Sequence, residues 1–216
     1  TVGVYGLVGL IVKLDDIGLH LLQAPDASAL RGDIRAFMEL HIEQGPVLED
    51  NDKTIGVVSG VLGIRWFDCT VTGMEAHAGP TPMALRKDAM LAATRIMQDV
   101  VAAAHRHPPH GRGTVGMVQV FPNSRNVIPG RVKFSIDLRN STDALVDAMA
   151  AEVKAFADQV AKEHGVQVQI DLVSSYPAQQ FHAECVQAVG RAAAKLGYSH
   201  MPAVSGAGHD AVYMAK

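Results

Sequence analysis

Residues 38–46 read Met-Glu-Leu-His-Ile-Glu-Gln-Gly-Pro and place an imidazole between two carboxylates at alternate positions. The alternation predicts a short strand with one apolar and one polar face. A neutral imidazole is a common metal ligand, and neighbouring carboxylates can bind the same metal or orient the ring. His41 is therefore a candidate metal ligand, with Gln44 beside it where the Gly-Pro pair ends the strand. An edge strand whose polar face meets water explains the same pattern equally well.

A second histidine, His77, follows a predicted strand and lies among small residues in the segment 73–80, Gly-Met-Glu-Ala-His-Ala-Gly-Pro. Its alanine and glycine neighbours leave the imidazole exposed, so that it can approach a ligand closely. Taken alone, the segment is better interpreted as a loop that carries an ordinary histidine.

Asn126 and Arg139 are candidates for binding a polar ligand. Asn126 begins the turn Asn-Val-Ile-Pro-Gly, and Arg139 ends the strand that follows it. An amide can hydrogen-bond a ligand there, and an arginine fork can bind a carboxylate through two parallel hydrogen bonds. The structural alternatives are a turn cap for Asn126 and an ion pair with Asp137 for Arg139. For either residue taken alone, the structural alternative is favoured.

The loop at residues 205–210, Ser-Gly-Ala-Gly-His-Asp, contains Gly208 and His209 and runs into a predicted helix. Its backbone N–H groups could form an anion-binding nest, although a flexible tight turn explains the sequence as well. The histidine-rich segment 105–110 is interpreted as a polar link, because its two prolines provide no rigid ligand geometry.

Composition excludes several classes of function. The 216 residues carry a net charge of −3 at a pI of about 6.3, without a basic stripe, which argues against nucleic-acid binding. The apolar run at residues 2–12 is too short to span a membrane, and the absence of Gly-x-Ser-x-Gly argues against a serine hydrolase. Cys69 and Cys185 are interpreted as reduced packing residues of a cytoplasmic protein. The chain starts without methionine and is interpreted as a fragment of a longer protein.

Hydrophobic periodicity predicts the elements that position these residues. Period-two alternation predicts strands at residues 65–71, 114–120, 131–139 and 166–173. Helical spacing predicts helices at residues 82–105, 141–164 and 182–196. The order of the first six elements is β-α-β-β-α-β, which is that of the ferredoxin-like sandwich.

Four ordered segments together resemble one protein family. They are His41-Ile42-Glu43-Gln44-Gly45-Pro46, then Gly73 with Ala76-His77-Ala78-Gly79, Pro82-Met83, Arg86 and Asp88-Ala89, then Asn126-Val127-Ile128-Pro129-Gly130 with Asp137-Leu138-Arg139, and finally residues 205–211. In this order they resemble the hydantoinase/carbamoylase family of metal-dependent amidohydrolases, which includes allantoate amidohydrolases, N-carbamoyl-L-amino-acid hydrolases and β-alanine synthases. The resemblance extends from residue 37 to the end of the chain.

The resemblance implies an α/β fold with an α+β insert. Residues 1–61 and 175–216 would belong to a zinc-peptidase-like catalytic domain. Residues 62–174 would form a ferredoxin-like lid, through which two copies of the protein would form a homodimer. The Gly- and Val-rich stretch at residues 56–63 is interpreted as the connector between them. The exposed edge of a ferredoxin-like sheet is a reasonable dimer surface.

The resemblance also implies roles for individual residues. In the family, the histidine matching His41 binds one metal of a dinuclear site. Residues matching Gln44, Asn126 and Arg139 hold a carboxylate-bearing ureido substrate, with the arginine on its carboxylate. The implied cofactor is a divalent metal (zinc, manganese, cobalt or nickel) that activates water and polarises the carbonyl.

Three further roles follow from the same resemblance. The histidine matching His77 reaches into the neighbouring subunit's site and stabilises the tetrahedral intermediate. Residues matching Gly208 and His209 line the pocket.

The chain also departs from the family pattern. In the family, the general-base glutamate and three metal ligands lie in a segment N-terminal to the part that this chain matches, and residues 1–36 do not supply them. A further metal-ligand histidine of the family lies in a motif that follows the matching part. We therefore expect the chain itself to be inactive, although the longer protein is an enzyme. The alternatives are an aminoacylase- or dipeptidase-type metallohydrolase and a non-catalytic dimerisation module.

Overall fold

The computed structural model describes residues 36–215 and the backbone of residues 5–8. The chain divides into two compact units. The first is Thr1–Val61 with Gln179–Lys216, and the second is Leu62–Ala178. No helix in the described part of the chain is both long and apolar enough to cross a membrane.

The described strands, in chain order, are β1 (Tyr5–Val8), β2 (Met38–His41), β3 (Ile55–Val61), β4 (Gly63–Thr72), β5 (Ala76–His77), β6 (Arg112–Thr114), β7 (Val118–Phe121), β8 (Val127–Ile128), β9 (Arg131–Asn140), β10 (Gln167–Tyr176), β11 (Gln179–Gln180) and β12 (His200–Ser205). The described helices are α1 (Val47–Asp50), α2 (Ala89–Arg106), α3 (Asp143–His164), α4 (Ala183–Lys195) and α5 (Asp210–Met214). Every element predicted from periodicity has a counterpart among them.

The second unit is built on an antiparallel sheet in the order β10-β4-β9-β6, and β7 also pairs with β9. The first and third main strands of the unit, β4 and β9, therefore lie at the centre. The helices α2 and α3 follow β4 and β9 in the chain and pack together with both strands around one core. This is the predicted ferredoxin-like sandwich, which is thereby confirmed.

Alternation along the two central strands decides which side chains form the core. Seven of them are buried together with the helices: Phe67, Cys69 and Val71 from β4, and Val132, Phe134, Ile136 and Leu138 from β9. Burial raises the pKa of the Cys69 thiol to about 12, and the charge of Asp171 adds to the effect. Both cysteines are free, as predicted for packing residues.

The helix α2 begins at Ala89, later than the predicted start at residue 82. The Asp88 carboxylate accepts the N–H groups of Met90 at 2.9 Å and Leu91 at 3.1 Å, and so caps the first turn. A separate 3-10 turn occupies Met83–Leu85. The apolar spacing in the sequence continued across this turn, which is why it did not reveal the break.

The helix α3 begins at Asp143, two residues after its predicted start, and ends at His164 as predicted. The Thr142 hydroxyl accepts the N–H of Leu145 at 3.2 Å, and Gly165 ends the helix at a φ of 62°. Helical spacing in the sequence predicts Leu145 on the apolar side of α3, but its side chain is 39% exposed, whereas Val146 is fully buried. One residue step turns a helix by about 100°, so a shift of one position changes the face.

Two further predictions require correction. Residues 114–120 are not one strand: β6 and β7 pair separately with β9, and Met117 between them exchanges hydrogen bonds with Ser135. Residues 56–63 are not a connector, because most of them belong to β3. This strand lies at the centre of a three-stranded sheet in the order β11-β3-β12.

The first unit has a smaller described core and an unexpected orientation of β2. Its buried cluster contains Val58, Val61, Phe181 and Ala211. The alternation of β2 is present, but the apolar side is the exposed one, with Met38 at 59% and Leu40 at 68%. The polar side is half-buried because Glu39 on that side has hydrogen-bond partners within the unit.

Candidate functional site

The predicted site residues fall into two groups, and each group lies within one unit. The first unit carries His41, Gln44, Gly208 and His209, and the second carries His77, Asn126 and Arg139.

In the first unit, Glu39 joins β2 to the start of α5. Its Oε2 accepts hydrogen bonds from His209 Nδ1 at 3.2 Å and from the backbone N–H of Ala211 at 3.0 Å. The side chain of His209 is 2% exposed and that of Glu39 is 18% exposed. The Glu39 carboxylate therefore occupies the N-terminus of α5, beside the predicted anion-binding loop. A negative charge is favourable at a helix N-terminus.

His209 is buried in its neutral form. Burial lowers the pKa of His209, and this outweighs the opposite effect of the Glu39 charge. Because Nδ1 donates to Glu39, Nε2 is the unprotonated nitrogen; it is buried and has no hydrogen-bond partner among the described residues. The ring centroid lies 6.0 Å from that of His41 and 5.8 Å from that of Phe181. The structure therefore brings His41 and His209 together.

His41 is half-buried at the end of β2. Its Nδ1 lies 2.6 Å from the carbonyl oxygen of Ile42, which places the proton on Nδ1 and leaves the electron pair on Nε2. Such a nitrogen can bind a divalent metal. However, no group of three or more His, Cys, Asp or Glu side chains converges to hold a metal within the residues that the structure describes. These residues do not by themselves fit a metal site.

Gln44 occupies a strained backbone position. Its φ of 57° lies in the left-handed region, which non-glycine residues seldom adopt. The preceding Glu43 accepts the N–H groups of Val47 at 2.9 Å and Leu48 at 3.0 Å, so its carboxylate caps α1. Backbone strain of this kind costs about 1–3 kcal/mol and is concentrated at functional sites. The strained position is consistent with the role predicted for the exposed Gln44 side chain.

Gly208 is exposed in the loop between β12 and α5. A Cβ placed on it would meet no atom within 4 Å, so local packing does not require glycine there. The loop is closed instead by Ser205, whose hydroxyl donates to the Ala207 carbonyl at 2.8 Å. The pocket-lining role of Gly208 stays a prediction.

In the second unit, the structure brings His77 and Asn126 together. Strand β5 pairs with β8 so that His77 lies opposite Val127, and the N–H of Ala78 donates to the Asn126 carbonyl at 2.8 Å. The side chain of His77 is exposed, as predicted. The Ser124 hydroxyl donates to Asn126 Oδ1 at 2.9 Å, which leaves the amide NH₂ as the donor group of Asn126.

Strands β5 and β8 form a two-stranded ribbon. Two glycines, Gly73 before β5 and Gly130 after β8, allow the chain to close at its base. The N–H of Gly73 donates to the Gly130 carbonyl at 2.8 Å. A Cβ on Gly73 would lie 2.0 Å from the carbonyl oxygen of Lys87, and one on Gly130 would lie 2.3 Å from Cγ of Glu75. Only glycine permits such close approach. The ribbon is therefore anchored at the end of the sheet where β9 begins.

Arg139 lies at the other end of β9. Its Nε and Nη2 donate to both oxygens of Asp137, at distances of 2.6 to 3.2 Å. The ion pair that the sequence left as an alternative is therefore present. The eight residue steps from Arg131 to Arg139 extend about 26 Å along the strand. His77 and Arg139 consequently lie towards opposite ends of the sheet.

Two contacts were missed by the sequence interpretation. Glu39 and His209 are 170 residues apart, and the local pattern of either segment gives no signal of the other. Arg86 was recognised only as part of a resembling motif, whereas the structure gives it three hydrogen bonds to the loop that follows His77. In the sequence, Arg86 stands between the Pro82-Met83 pair and the capping Asp88, inside one of the four resembling segments.

Comparison with known proteins adds independent information. The model of the peptidase family M20/M25/M40 matches residues 8–216. The N-carbamoyl-L-amino-acid amidohydrolase of Rhizobium meliloti is 45% identical over 183 residues, which are 85% of this chain and 44% of that protein. The allantoate amidohydrolase of Bacillus subtilis (strain 168) is 36% identical over 184 residues, which are 85% of this chain and 45% of that protein.

The solved structures agree. A hydantoinase/carbamoylase family amidase from Burkholderia multivorans has a TM-score of 0.80 and 50% identity, covering 81% of this chain and 43% of that one. The chain belongs to the peptidase family M20/M25/M40. The resemblance to the hydantoinase/carbamoylase proteins and the predicted fold class are confirmed. The chain spans less than half the length of these relatives, and the roles of the individual site residues stay predictions.

Proposed function

We propose that the chain is part of a longer metal-dependent hydrolase that cleaves linear amide or ureido C–N bonds. Its proposed substrate is an N-carbamoyl amino acid or an allantoate-like compound, because relatives of 45% and 36% identity bear the names of those activities. Both substrate types combine a carboxylate with a ureido carbonyl. The two free cysteines suit the proposed cytoplasmic location.

A divalent metal (zinc, manganese, cobalt or nickel) is the proposed cofactor, since the M20 family generally depends on one. His41 is its proposed ligand in this chain. The described residues hold no complete metal site, so the remaining ligands and the general base are proposed to lie elsewhere in the longer enzyme. For this reason we expect the 216-residue chain alone to be inactive.

The substrate-binding roles are supported by the donors that the structure presents. Arg139, oriented by Asp137, is proposed to bind the substrate carboxylate, and the amide of Asn126 to donate to the ureido group. Gln44 is proposed as a further substrate contact because its exposed side chain stands at a strained position. Gly208 and His209 are proposed to line the pocket.

His77 is the proposed catalytic residue of this chain. Attack of water on a ureido carbonyl places negative charge on the carbonyl oxygen, and a neutral imidazole N–H can donate to it. A donor of this kind typically lowers the barrier by about 2.7–4 kcal/mol. The exposure of His77 on a short ribbon suits a residue that enters a site from outside its own unit.

The observation that carries the proposal is the separation of His77 from Arg139 within the second unit. The ribbon that carries His77 joins the sheet at the Gly73–Gly130 hydrogen bond, next to Arg131 at the start of β9. Arg139 lies eight residue steps further along β9, or about 26 Å from Arg131, which exceeds the length of an N-carbamoyl amino acid. On this ground the proposal is that one substrate does not contact both residues of a single copy. The proposed pocket takes Arg139 from one copy and His77 with Asn126 from its partner.

A homodimer is therefore part of the proposal, and the second unit offers a surface for it. Strand β6 lies at the edge of the sheet, where unpaired backbone groups can bind another strand. Beside it is an open groove of about 550 Å³ lined by Met97, Gln98, Val101, Gly113, Thr114 and Val115. Val101 is 45% exposed, as expected for an apolar residue that a second copy covers.

Subunit mixing tests the shared pocket in the longer enzyme. His77→Asn and Arg139→Gln homodimers are each expected to lose activity on N-carbamoyl amino acids. After the two variants are mixed and allowed to exchange subunits, about a quarter of wild-type activity should return, since half of the dimers are mixed and each holds one intact pocket. A mixture without recovered activity contradicts the proposal.

The matched control carries both substitutions in one copy. Mixed with wild type, this double variant should inactivate both pockets of every mixed dimer, whereas pockets confined to one copy would keep half. The isolated 216-residue chain, assayed with added Mn²⁺ or Zn²⁺, should show no turnover. In the longer protein, hydrolysis of N-acyl but not N-carbamoyl amino acids would favour the aminoacylase alternative. No hydrolysis of either by the longer protein would favour a dimerisation module.

A further inference from the structure

Arg86 binds the backbone of the loop that carries His77. Its Nε donates to the Thr81 carbonyl at 3.1 Å, and its Nη2 donates to the carbonyls of Ala78 at 2.7 Å and Thr81 at 3.0 Å. Arg86 is half-buried and its own backbone is extended, between the 3-10 turn and α2. One guanidinium therefore closes the loop at both of its ends.

The same loop fixes His77 through two further hydrogen bonds. The Thr81 hydroxyl donates to the His77 carbonyl at 2.7 Å. The N–H of Gly79 donates to His77 Nδ1 at 3.1 Å. A ring nitrogen that accepts a hydrogen bond carries no proton, so the neutral imidazole holds its proton on Nε2. The exposed ring thus presents an N–H donor.

We propose that Arg86 is a positioning residue, which holds the 78–81 loop so that the Gly79 N–H keeps His77 in the orientation and tautomer that offer Nε2–H to the substrate. The inference deepens the proposed function and rests on it, because it assumes that His77 donates to the developing oxyanion. A planar guanidinium suits this role, since it donates in several fixed directions at once. A lysine ammonium would reach fewer of these carbonyls in the same geometry.

A purely structural role for Arg86 at the start of α2 does not explain these contacts. That helix is already capped by the Asp88 carboxylate, and the N–H of Ala89 donates to the Pro129 carbonyl at 3.1 Å. The base of the ribbon is closed separately by the N–H of Met74, which donates to the Lys87 carbonyl at 2.8 Å. The three hydrogen bonds of the Arg86 side chain all go to the loop beyond His77, and only its backbone N–H donates elsewhere, to the Met83 carbonyl.

The tautomer of His77 can be measured directly on the 216-residue chain by long-range ¹H–¹⁵N NMR of labelled histidines at about pH 8, where histidines are generally neutral. The His77 signals are assigned by their loss in His77→Asn. Wild type should show the pattern of the Nε2–H form alone. In Arg86→Gln, both ring nitrogens should move towards the averaged values of a mobile free imidazole, and Arg86→Lys should lie between.

The matched control is Arg112→Gln. Arg112 also donates to two loop carbonyls, those of Pro109 and Gly111 at 3.0 Å, but in a loop that holds no candidate site residue. Its replacement should leave the His77 pattern unchanged. The emission of the single tryptophan, Trp66 in β4, checks that each variant retains its sheet. An unchanged His77 pattern in folded Arg86→Gln overturns the proposal.

Kinetics of the longer enzyme separate this inference from the proposed function. Loss of orientation should lower kcat of Arg86→Gln about tenfold and change KM little, because an oxyanion donor acts in the transition state. If His77→Asn retains full kcat, the proposed function fails whatever the tautomer shows. If His77→Asn is inactive while Arg86→Gln keeps both kcat and the wild-type tautomer, only the positioning role fails.

Discussion

The two units hold their candidate histidines by different means. In the first unit, His209 is buried and is held by the carboxylate of Glu39, which lies 170 residues away in the sequence. In the second unit, His77 is exposed and is held by hydrogen bonds from residues no more than four positions away. A local loop can be recognised from a short motif, whereas a hydrogen bond between a carboxylate and a distant buried histidine depends on the complete fold of its unit.

The two units also differ in the size of their apolar cores and in the polar groups beside them. The second unit has a large apolar cluster around β4 and β9, and Asp99, on α2, is the one buried charged side chain among its described residues. The described cluster of the first unit is small, and its Phe181 ring lies beside the buried His209, the partner of the half-buried Glu39. We therefore expect truncation of a buried apolar side chain to have the largest effect on the stability of the second unit. Removal of a charge should affect stability more in the first unit than in the second.

The largest expected effect is that of Phe134→Ala in the second unit. Phe134 is 1% exposed at the centre of β9, and truncation of a buried phenylalanine typically costs about 3–5 kcal/mol. Urea unfolding followed by Trp66 fluorescence measures the loss, because the only tryptophan lies in this unit.

Phe181→Ala is the matched substitution in the first unit. Phe181 belongs to the other apolar cluster, so its truncation should leave the Trp66 transition within about 0.5 kcal/mol of wild type. An equal shift of the Trp66 transition in both variants would show that the two clusters do not unfold separately. It would contradict the contrast drawn between the two units.

Glu39→Gln should have an intermediate effect, confined to the first unit. The charged acceptor of the His209 and Ala211 hydrogen bonds becomes neutral, and such charge-assisted bonds contribute about 1.5–3 kcal/mol. Amide hydrogen exchange at Ala211 should accelerate about tenfold or more. Glu49→Gln, an exposed position in the first turn of α1, is the control and should leave that rate unchanged.

The smallest expected effect is that of Glu152→Gln in the second unit. Hydrogen bonds from His107 and Arg106 hold the pKa of the Glu152 carboxyl below its ordinary value of 4.5. A carboxyl with a lowered pKa stabilises the fold above its ordinary pKa and loses that effect as the pH falls through the folded value. Because the side chain is 38% exposed, we expect about 0.5 kcal/mol at pH 7.

Urea unfolding at several pH values checks this prediction. The difference in unfolding free energy between wild type and Glu152→Gln should be present at neutral pH and shrink below pH 4.5. Asp158→Asn, an exposed position on the same helix, is the control. A difference as large as that of Glu39→Gln would contradict the contrast between buried and exposed charge.

Much of the second unit could be predicted from hydrophobic periodicity. The alternation of Val132, Phe134, Ile136 and Leu138 indicated both a strand and its buried face, because residues two apart in a strand share a face. The predictions of secondary structure were wrong where one pattern of apolar residues or glycines fits two conformations. Apolar spacing continued through the 3-10 turn before α2, and the glycine-rich β3 was mistaken for a connector.

The candidate site was predictable in its residue types but not in its geometry. The motif glycines Gly73 and Gly130 are explained by close backbone contacts, which a sequence can only suggest. Glu43, one of the two carboxylates beside His41 in the sequence, caps α1 in the structure. This cap is local in sequence, and the strand pattern concealed it.

The sequence by itself determined the order of elements in the second unit, the buried faces of its central strands and the residue types of the candidate site. Each of these is a property of neighbouring residues, expressed in periods of two or 3.6 positions. Only the tertiary structure decided that Glu39 holds His209 and that the polar side of β2 turns inward. It also decided that the ribbon carrying His77 joins the sheet at the start of β9, whereas Arg139 lies near the end of that strand. Such arrangements depend on which distant segments bury their polar and apolar groups together, and local periodicity does not encode that choice.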